Sequence, residues 1–362
     1  MSKYEVILLN QYLPPSAIYR YGFDISNAIP HARLKTLIDN ERGIISGYPE
    51  SDFISGKFKR FKTLNKLFPN ISYKTFINSV EKGKSDEYKK IIHYLSPMNQ
   101  IKFSKFLKVV TIHDPISILH KTNLFQNGES MKSPTEFLKR KFQKRNYNLF
   151  KSYSNILCVS EYVKSILVTE GFTENIKVIY PAVPPEYSYL NNKLELRRKL
   201  NLPKDKSLIL SVSSNLNRKN LSKVRKTLLL LGDDYKLVRV GKSIMQGDIC
   251  FQDVSYEQMN EIYNACDVLL FPSLYEGFGY PLVEAFATGL PVVASDIEIF
   301  RETSGGAALL MDPNDSLDLA TGIRLALENS EELKKKGFKR VKMFSFDRFA
   351  FEINEYYSTI LE

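Results

Sequence analysis

The 362-residue sequence predicts an α/β chain of two domains, and three observations predict it. Residues 271–296 set out strand, loop, helix and strand with no spare residues between them. The length suffices for two hydrophobic cores. Tyr180-Pro-Ala-Val-Pro-Pro-Glu then marks the boundary, because three prolines within five residues cannot continue a helix or a central strand.

Within the first of these, Val268-Leu-Leu-Phe271 is an apolar run suited to a buried strand, and Pro272 ends it by withholding a ladder donor. A loop therefore opens at the strand's carboxyl end, where Gly277 and Gly279 permit a close backbone approach to a ligand. Pro281 suits a first helical position, the helix is expected over Pro281–Thr288, Gly289 supplies a left-handed stop, and Pro291-Val-Val-Ala begins the next strand. Glu276 and Glu284 frame the loop with seven residues between them. Glu284 is expected in the helix's first turn, beside N–H groups that favour an anion such as a phosphate; a capping role for the same carboxylate is the bland alternative.

Composition restricts the class. A content of 43% hydrophobic and 25% charged residues is that of an ordinary soluble protein, and no apolar run approaches a bilayer span. A strand is expected to begin at once with Tyr4-Glu-Val-Ile-Leu-Leu, so the expectation is a chain without a leader peptide. Cys158, Cys250 and Cys266 lie far apart, without a Cys-x-x-Cys spacing, which suggests neither a disulfide framework nor a zinc site and makes a reducing cytoplasm the simplest compartment. Residues 1–180 hold 28 Lys+Arg against 15 Asp+Glu, and residues 181–362 hold 23 against 25, or +13 and −2. That imbalance favours an acidic partner for the first half, such as an anionic membrane face or a phosphorylated lipid. Nucleic acid satisfies the same arithmetic, but no recognition motif accompanies it.

In chain order, Gln11–Gly22 reads as a loop of turn formers and aromatics at the carboxyl end of the first strand. Residues 53–108 interleave lysine with Phe and Tyr, as in Lys57-Phe-Lys-Arg-Phe-Lys, which fits either a solvated helical face or a membrane interface. Lys108-Val-Val-Thr-Ile is a buried strand that leads to an exposed His113-Asp114. The stretch from Ser133-Pro134 to Phe150 has a helix start and a strongly basic face, again either solvated or membrane-docking. Asn155–Val159 reads as a strand before a Ser160-capped helix, and Lys177-Val-Ile-Tyr as the last strand of this half.

Ser207–Ser214 opens the second half as a strand, followed by Asn215-Leu-Asn-Arg-Lys-Asn and a helix from about Leu221. Arg218 and Lys219 thus put two cations where a diphosphate could lie. Lys236–Lys242 is a strand with a glycine turn, and Ile249–Val254 is a further strand. Ser255–Cys266 is a helix whose capping box is Ser255-x-x-Gln258. Closing loops at Ser304-Gly-Gly-Ala and Met311-Asp-Pro-Asn-Asp precede helices at roughly 315–336 and a helical pattern over Phe346–Leu361.

The run Glu276-Gly-Phe-Gly-x-Pro-x-x-Glu284-Ala closely resembles the Glu-x7-Glu motif of retaining glycosyltransferases of family GT4. The resemblance extends over most of residues 105–350 and implies the GT-B fold: two Rossmann-like doubly wound domains facing an interdomain cleft. It implies an acceptor-binding domain over 1–180, joined by the terminal helix 346–362 crossing back, and a nucleotide-sugar-binding domain over 181–345. By the same resemblance Glu284 binds the donor ribose, Glu276 contacts the donor sugar, and Gly277, Phe278 and Gly279 form the donor loop. His113 borders that sugar, Lys219 neutralises the pyrophosphate, backbone around Phe251 holds the base, and Gly22 is the one glycine of the first loop. The family's arginine just after the strand is replaced here by Ser213-Ser214-Asn215, so Arg218 is its expected substitute.

The implied reaction is transfer of a sugar from a UDP- or GDP-linked donor to a hydroxyl of a glycan, glycolipid or similar acceptor, with retention and with no protein nucleophile. No Asp-x-Asp motif is present, so neither a cofactor nor a metal is expected. Two alternatives remain: a GT-B epimerase or phosphorylase, and a basic nucleic-acid-binding protein.

Overall fold

A computed structural model describes residues 4–10, 17–29, 32–36, 52–53, 89–96, 106–115, 150–151, 153–172 and 175–362. The basic stretches at 57–62 and 133–149, and the loop at 11–16, lie outside the described residues. The chain divides into two compact units, the second being Ala182–Phe346 and the first including Asp347–Glu362.

In the first unit the described strands are β1 (Tyr4–Asn10), β2 (Ala32–Thr36), β3 (Asp52–Phe53), β4 (Lys89–Tyr94), β5 (Leu107–Ile112), β6 (Ile156–Cys158) and β7 (Ile176–Val178), with α1 (Ala17–Ala28) and α2 (Glu161–Thr169). All strand pairs are parallel, in the order β3-β2-β1-β4-β5-β6-β7. Parallel strands are covered on both faces, which is why Val6, Leu8, Ile91, Ile92, Val109 and Val110 are continuous buried runs rather than alternating ones. Ser160 caps α2 as the sequence indicates, its Oγ accepting from Val163 N at 3.1 Å.

The second unit holds α3 (Lys193–Lys199), β8 (Ser207–Val212), α4 (Leu221–Leu231), β9 (Tyr235–Val240), β10 (Ile249–Phe251), α5 (Tyr256–Ala265), β11 (Val268–Phe271), α6 (Tyr280–Ala287), β12 (Val292–Ser295), α7 (Glu298–Ser304), β13 (Leu309–Met311), α8 (Ser316–Glu328) and α9 (Ser330–Val341). Its parallel sheet runs β10-β9-β8-β11-β12-β13, the doubly wound order, and reverses direction between β8 and β11. Ile209, Val268, Leu270 and Val293 on one face pack with Val224 and Leu228 of α4 and with Leu319 and Ile323 of α8. At α5, Ser255 Oγ accepts from Gln258 N at 3.1 Å, as the capping box requires.

The terminal helix α10 (Phe346–Thr359) places Phe349, Ile353 and Tyr357 on its buried stripe. Tyr357 Oη lies 2.6 Å from His93 Nδ1, and His93 Nε2 lies 2.6 Å from Thr111 Oγ1, so the helix is hydrogen-bonded to β4 and β5 through one buried imidazole. Asn354 Nδ2 also donates to the Ala28 carbonyl at 3.1 Å. No described helix is long and apolar enough to cross a membrane.

Candidate active site

The reversal point of the second sheet leaves a crevice at the carboxyl ends of β8 and β11, and the loops that follow these two strands carry the predicted residues. After β8 the backbone makes a 3-10 turn over Asn217–Lys219, then enters a left-handed conformation at Asn220 (φ 54°) before α4 begins. Leu274 N donates to the Arg218 carbonyl at 2.8 Å, which ties this turn to the loop after β11. Glu276 is buried there, 7% exposed, and its carboxylate is paired. Arg218 Nη1 donates to Glu276 Oε2 at 2.9 Å and to the Tyr275 carbonyl at 3.0 Å, while Lys219 Nζ donates to Glu276 Oε1. The ammonium also lies 5.5 Å from the centre of the Phe271 ring. Two cations against one carboxylate leave a formal charge of +1 on this cluster.

Gly279 takes φ 96° at the N-cap of α6, and a Cβ there would meet Phe300 Cε1 at 2.8 Å. Glycine is therefore required twice over, by the backbone and by the ring that fills its space. Because the helix starts at Tyr280 rather than Pro281, Glu284 is its fifth residue; the expected first-turn position is corrected to the second turn. Unpaired N–H groups end within the first turn, so Glu284 is not held by them. Tyr263, fully buried on α5, donates its hydroxyl to Glu284 Oε2 at 2.7 Å. Burial and the Glu284 carboxylate together push the Tyr263 phenol well above its usual pKa, so it remains a donor.

Gly277, Phe278 and Gly279 are buried in the same loop, and the Phe278 ring packs on Tyr280 and Phe344 at centroid distances of 5.3 and 5.4 Å. Its side chain is thus a packing element, and only its backbone is available to a donor. Phe251 ends β10 and gives its carbonyl to Gly241 N at 2.9 Å. Gly22 is not a loop residue: it is buried inside α1, which starts five residues before it at Ala17.

His113, in the first unit, follows β5, and both it and Asp114 are half-buried rather than exposed. Its ring meets Tyr21 edge-on with 4.8 Å between centroids, and its Nε2 is buried without a hydrogen-bond partner among the described residues. Burial pulls its pKa down to about 4, against a hydrogen bond to the Leu95 backbone that acts the other way, so the imidazole is neutral.

Sequence reading missed Tyr263 and Arg239. Tyr263 carried no signal beyond its place on an amphipathic helix. Arg239 did: an arginine within the apolar strand Lys236-Leu-Val-Arg-Val is an anomaly that calls for a reason. A cavity of about 620 Å³ lies among Ser207, Asp234, Asp267 and Pro291, at the other ends of the strands, with Tyr263 also in its lining.

The fold is GT-B, with doubly wound parallel sheets, and similarity to known glycosyltransferases makes the chain a transferase of EC class 2.4. Residues 192–340, within the second unit, match the family model described as Glycosyl transferases group 1. The O-antigen chain mannosyltransferase RfbU of Salmonella typhimurium is 27% identical over 252 residues, which cover 64% of this chain and 67% of that protein. Among solved structures, sucrose-phosphate synthase from Thermosynechococcus elongatus superposes with a TM-score of 0.76 at 19% identity, covering 99% of each chain. The Anabaena Alr3699/HepE structure in complex with UDP and glucose gives 0.76 at 17% identity, covering 98% of this chain and 100% of that one.

Proposed function

We propose that the chain is a retaining, GT4-type glycosyltransferase that moves a sugar from a UDP- or GDP-linked donor to a hydroxyl of a glycan, glycolipid or similar acceptor. The observation that carries this reading is the Arg218–Lys219–Glu276 cluster at the reversal point of the second sheet. Negative charge develops on the leaving diphosphate as the glycosidic bond breaks, and cations already fixed in place stabilise it without reorganisation. Glu276 holds both cations in position and, in this reading, contacts the donor sugar with the same carboxylate. Glu284, oriented by Tyr263, accepts hydrogen bonds from the ribose hydroxyls. Backbone of Gly277–Gly279 lines the phosphates and backbone at Phe251 the base. On the first unit, His113 after β5 is the counterpart of the histidine that borders the donor sugar in the family.

Retention follows a same-face course in this reading: the acceptor oxygen bonds to the anomeric carbon on the side the diphosphate leaves, and the leaving phosphate takes the acceptor's proton. No protein nucleophile is needed, and Arg218 and Lys219 take the role a metal would have. The RfbU relative's name favours a hexose donor and an O-antigen-like glycan acceptor. The UDP bound by the Anabaena protein supports a nucleotide in this fold. A cytoplasmic location, with the basic first half against an anionic membrane face, fits such acceptors; flotation with anionic vesicles, reversed by salt, would test it.

The deciding measurement is a thermal-shift titration with UDP, GDP and ADP. One nucleotide should raise the melting temperature, and Glu284→Ala should remove the rise. Absence of any shift at millimolar ligand would defeat the reading.

A further inference from the structure

Arg239, in the middle of β9, is fully buried. Nη1 donates to the hydroxyls of Ser211 at 3.0 Å and Ser213 at 3.1 Å, and Nη2 to the Ser213 carbonyl at 3.0 Å and Asn215 Oδ1 at 3.2 Å. Nε donates to the Lys242 carbonyl at 3.4 Å. Every acceptor is neutral, and among the described residues no carboxylate forms an ion pair with the guanidinium. Asp248 acts on it only through space, its own carboxylate accepting from the Ser243 hydroxyl and from the N–H groups of Ile244 and Met245. A cation held out of water with no hydrogen-bonded counter-charge, and with Cys250 and Asp248 acting only through space, is costly, so its retention is explained by an anion bound from outside the unit.

The acceptors identify where that anion belongs. Ser211, Ser213 and Asn215 lie on the segment that leads from β8 into the Arg218–Lys219 turn. The turn after β9 closes over the guanidinium because residue 241 has no side chain; a Cβ there would come within 2.5 Å of the Ser213 carbonyl and 2.8 Å of Arg239 Nη2. Ser213 and Asn215 accept from Arg239 through oxygen, which directs the serine hydroxyl proton and the asparagine Nδ2 protons away from it. Asn215 is exposed and Ser213 half-buried, and no other described residue engages either donor.

We propose that Arg239 is the positioning residue of a phosphate subsite whose direct donors are the Ser213 hydroxyl and the Asn215 amide. The guanidinium supplies charge from behind, and the two neutral groups make the contacts. The proposal rests on the donor reading above and extends it, since Arg239 adds a cation behind the segment that leads into the Arg218–Lys219–Glu276 cluster.

Calorimetric titration of the full chain tests it, using whichever of UDP, GDP and ADP the wild type binds best, together with the matching nucleoside. Arg239→Met should weaken the diphosphate by about tenfold or more, the size of a lost charge-assisted contact, and leave nucleoside affinity unchanged. Arg239→Lys should fall between, and Arg239→Met should flatten the salt dependence of diphosphate binding. The double variant Ser213→Ala with Asn215→Ala should weaken the diphosphate about fivefold and lower the melting temperature, because it also removes two acceptors of the buried guanidinium, while nucleoside affinity stays unchanged. A folded Arg239→Met that binds the diphosphate as the wild type does would overturn the proposal, as would an equal loss for diphosphate and nucleoside. Should Arg239→Met not fold, unchanged diphosphate affinity in the double variant overturns it instead. If the wild type binds none of the three nucleotides, the donor reading fails and takes this proposal with it; wild-type binding with unaffected variants sinks this proposal alone.

Discussion

Arg218 Nη1 and Glu276 Oε2 are 2.9 Å apart although 58 positions separate them in sequence. The same carboxylate accepts from Lys219, so Glu276 both orients the two cations and partly cancels them. Glu276→Gln should therefore separate binding from chemistry. UDP or GDP should bind as tightly as before or more tightly, because a competing negative charge is gone. Turnover should fall by about a hundredfold, as when one group aimed at developing charge is lost. Calorimetry beside steady-state rates checks it, and weakened nucleotide binding would count against the assignment.

Tyr263→Phe removes the hydroxyl that orients Glu284 and little else, since the buried ring stays. Nucleotide affinity should fall roughly fivefold, equivalent to about 1 kcal/mol. An unchanged dissociation constant would show that the contact has no part in binding.

Gly279→Ala should destabilise the second unit by about 2–4 kcal/mol, combining the left-handed backbone at φ 96° with the clash against Phe300. Denaturant unfolding measures the loss. Adding Phe300→Leu should recover part of it, because only the steric component is relieved; no recovery would place the whole cost in the backbone.

The buried His93 has its pKa lowered to about 3 by desolvation, with the neighbouring His113 pushing the same way. The unfolded chain takes up that proton near pH 6.5 and the folded chain does not, so this contribution to stability is complete above pH 6.5 and is lost as pH falls toward 3. The slope is about 1.4 kcal/mol per pH unit over that window. Melting temperatures between pH 7 and 4.5 should fall more steeply for the wild type than for His93→Gln. Parallel curves would rule out this origin.

Transfer activity should be indifferent to EDTA, because Arg218 and Lys219 are proposed to carry the charge of the leaving group. Loss of activity with chelator and its return with magnesium would contradict that proposal.

The central unit was legible at the level of elements. Pro272, Gly279, Gly289 and the two serine caps act through sterics and hydrogen bonds within a few residues, so the string of residue types contains them whole. Element edges were less secure. Gly22 reads as a loop residue because tyrosine, proline and glycine crowd that stretch, yet α1 takes it in to bury Tyr21 and Ile25. Glu284 shifts by one helical position for a similar reason: Gly279 starts α6 a residue early. The basic stretches at 57–62 and 133–149 contribute nothing to this comparison, lying outside the described residues.

By itself the sequence determined that Pro272 ends β11, that a glycine loop follows it and that Gly289 stops the next helix, since those depend on neighbours along the chain. It also singled out Glu276, Glu284, Arg218 and Lys219 as residue types suited to a sugar nucleotide. Which of them meet was decided only by tertiary structure. Every strand of a parallel sheet is the same kind of buried apolar run, so nothing in the pattern states that β8 lies beside β11. That lateral order closes Arg218 and Lys219 onto Glu276, brings Tyr263 to Glu284, and sets Arg239 beneath Ser213 and Asn215. Each of these contacts joins residues 21 to 58 positions apart, farther than any local rule of chain geometry reaches.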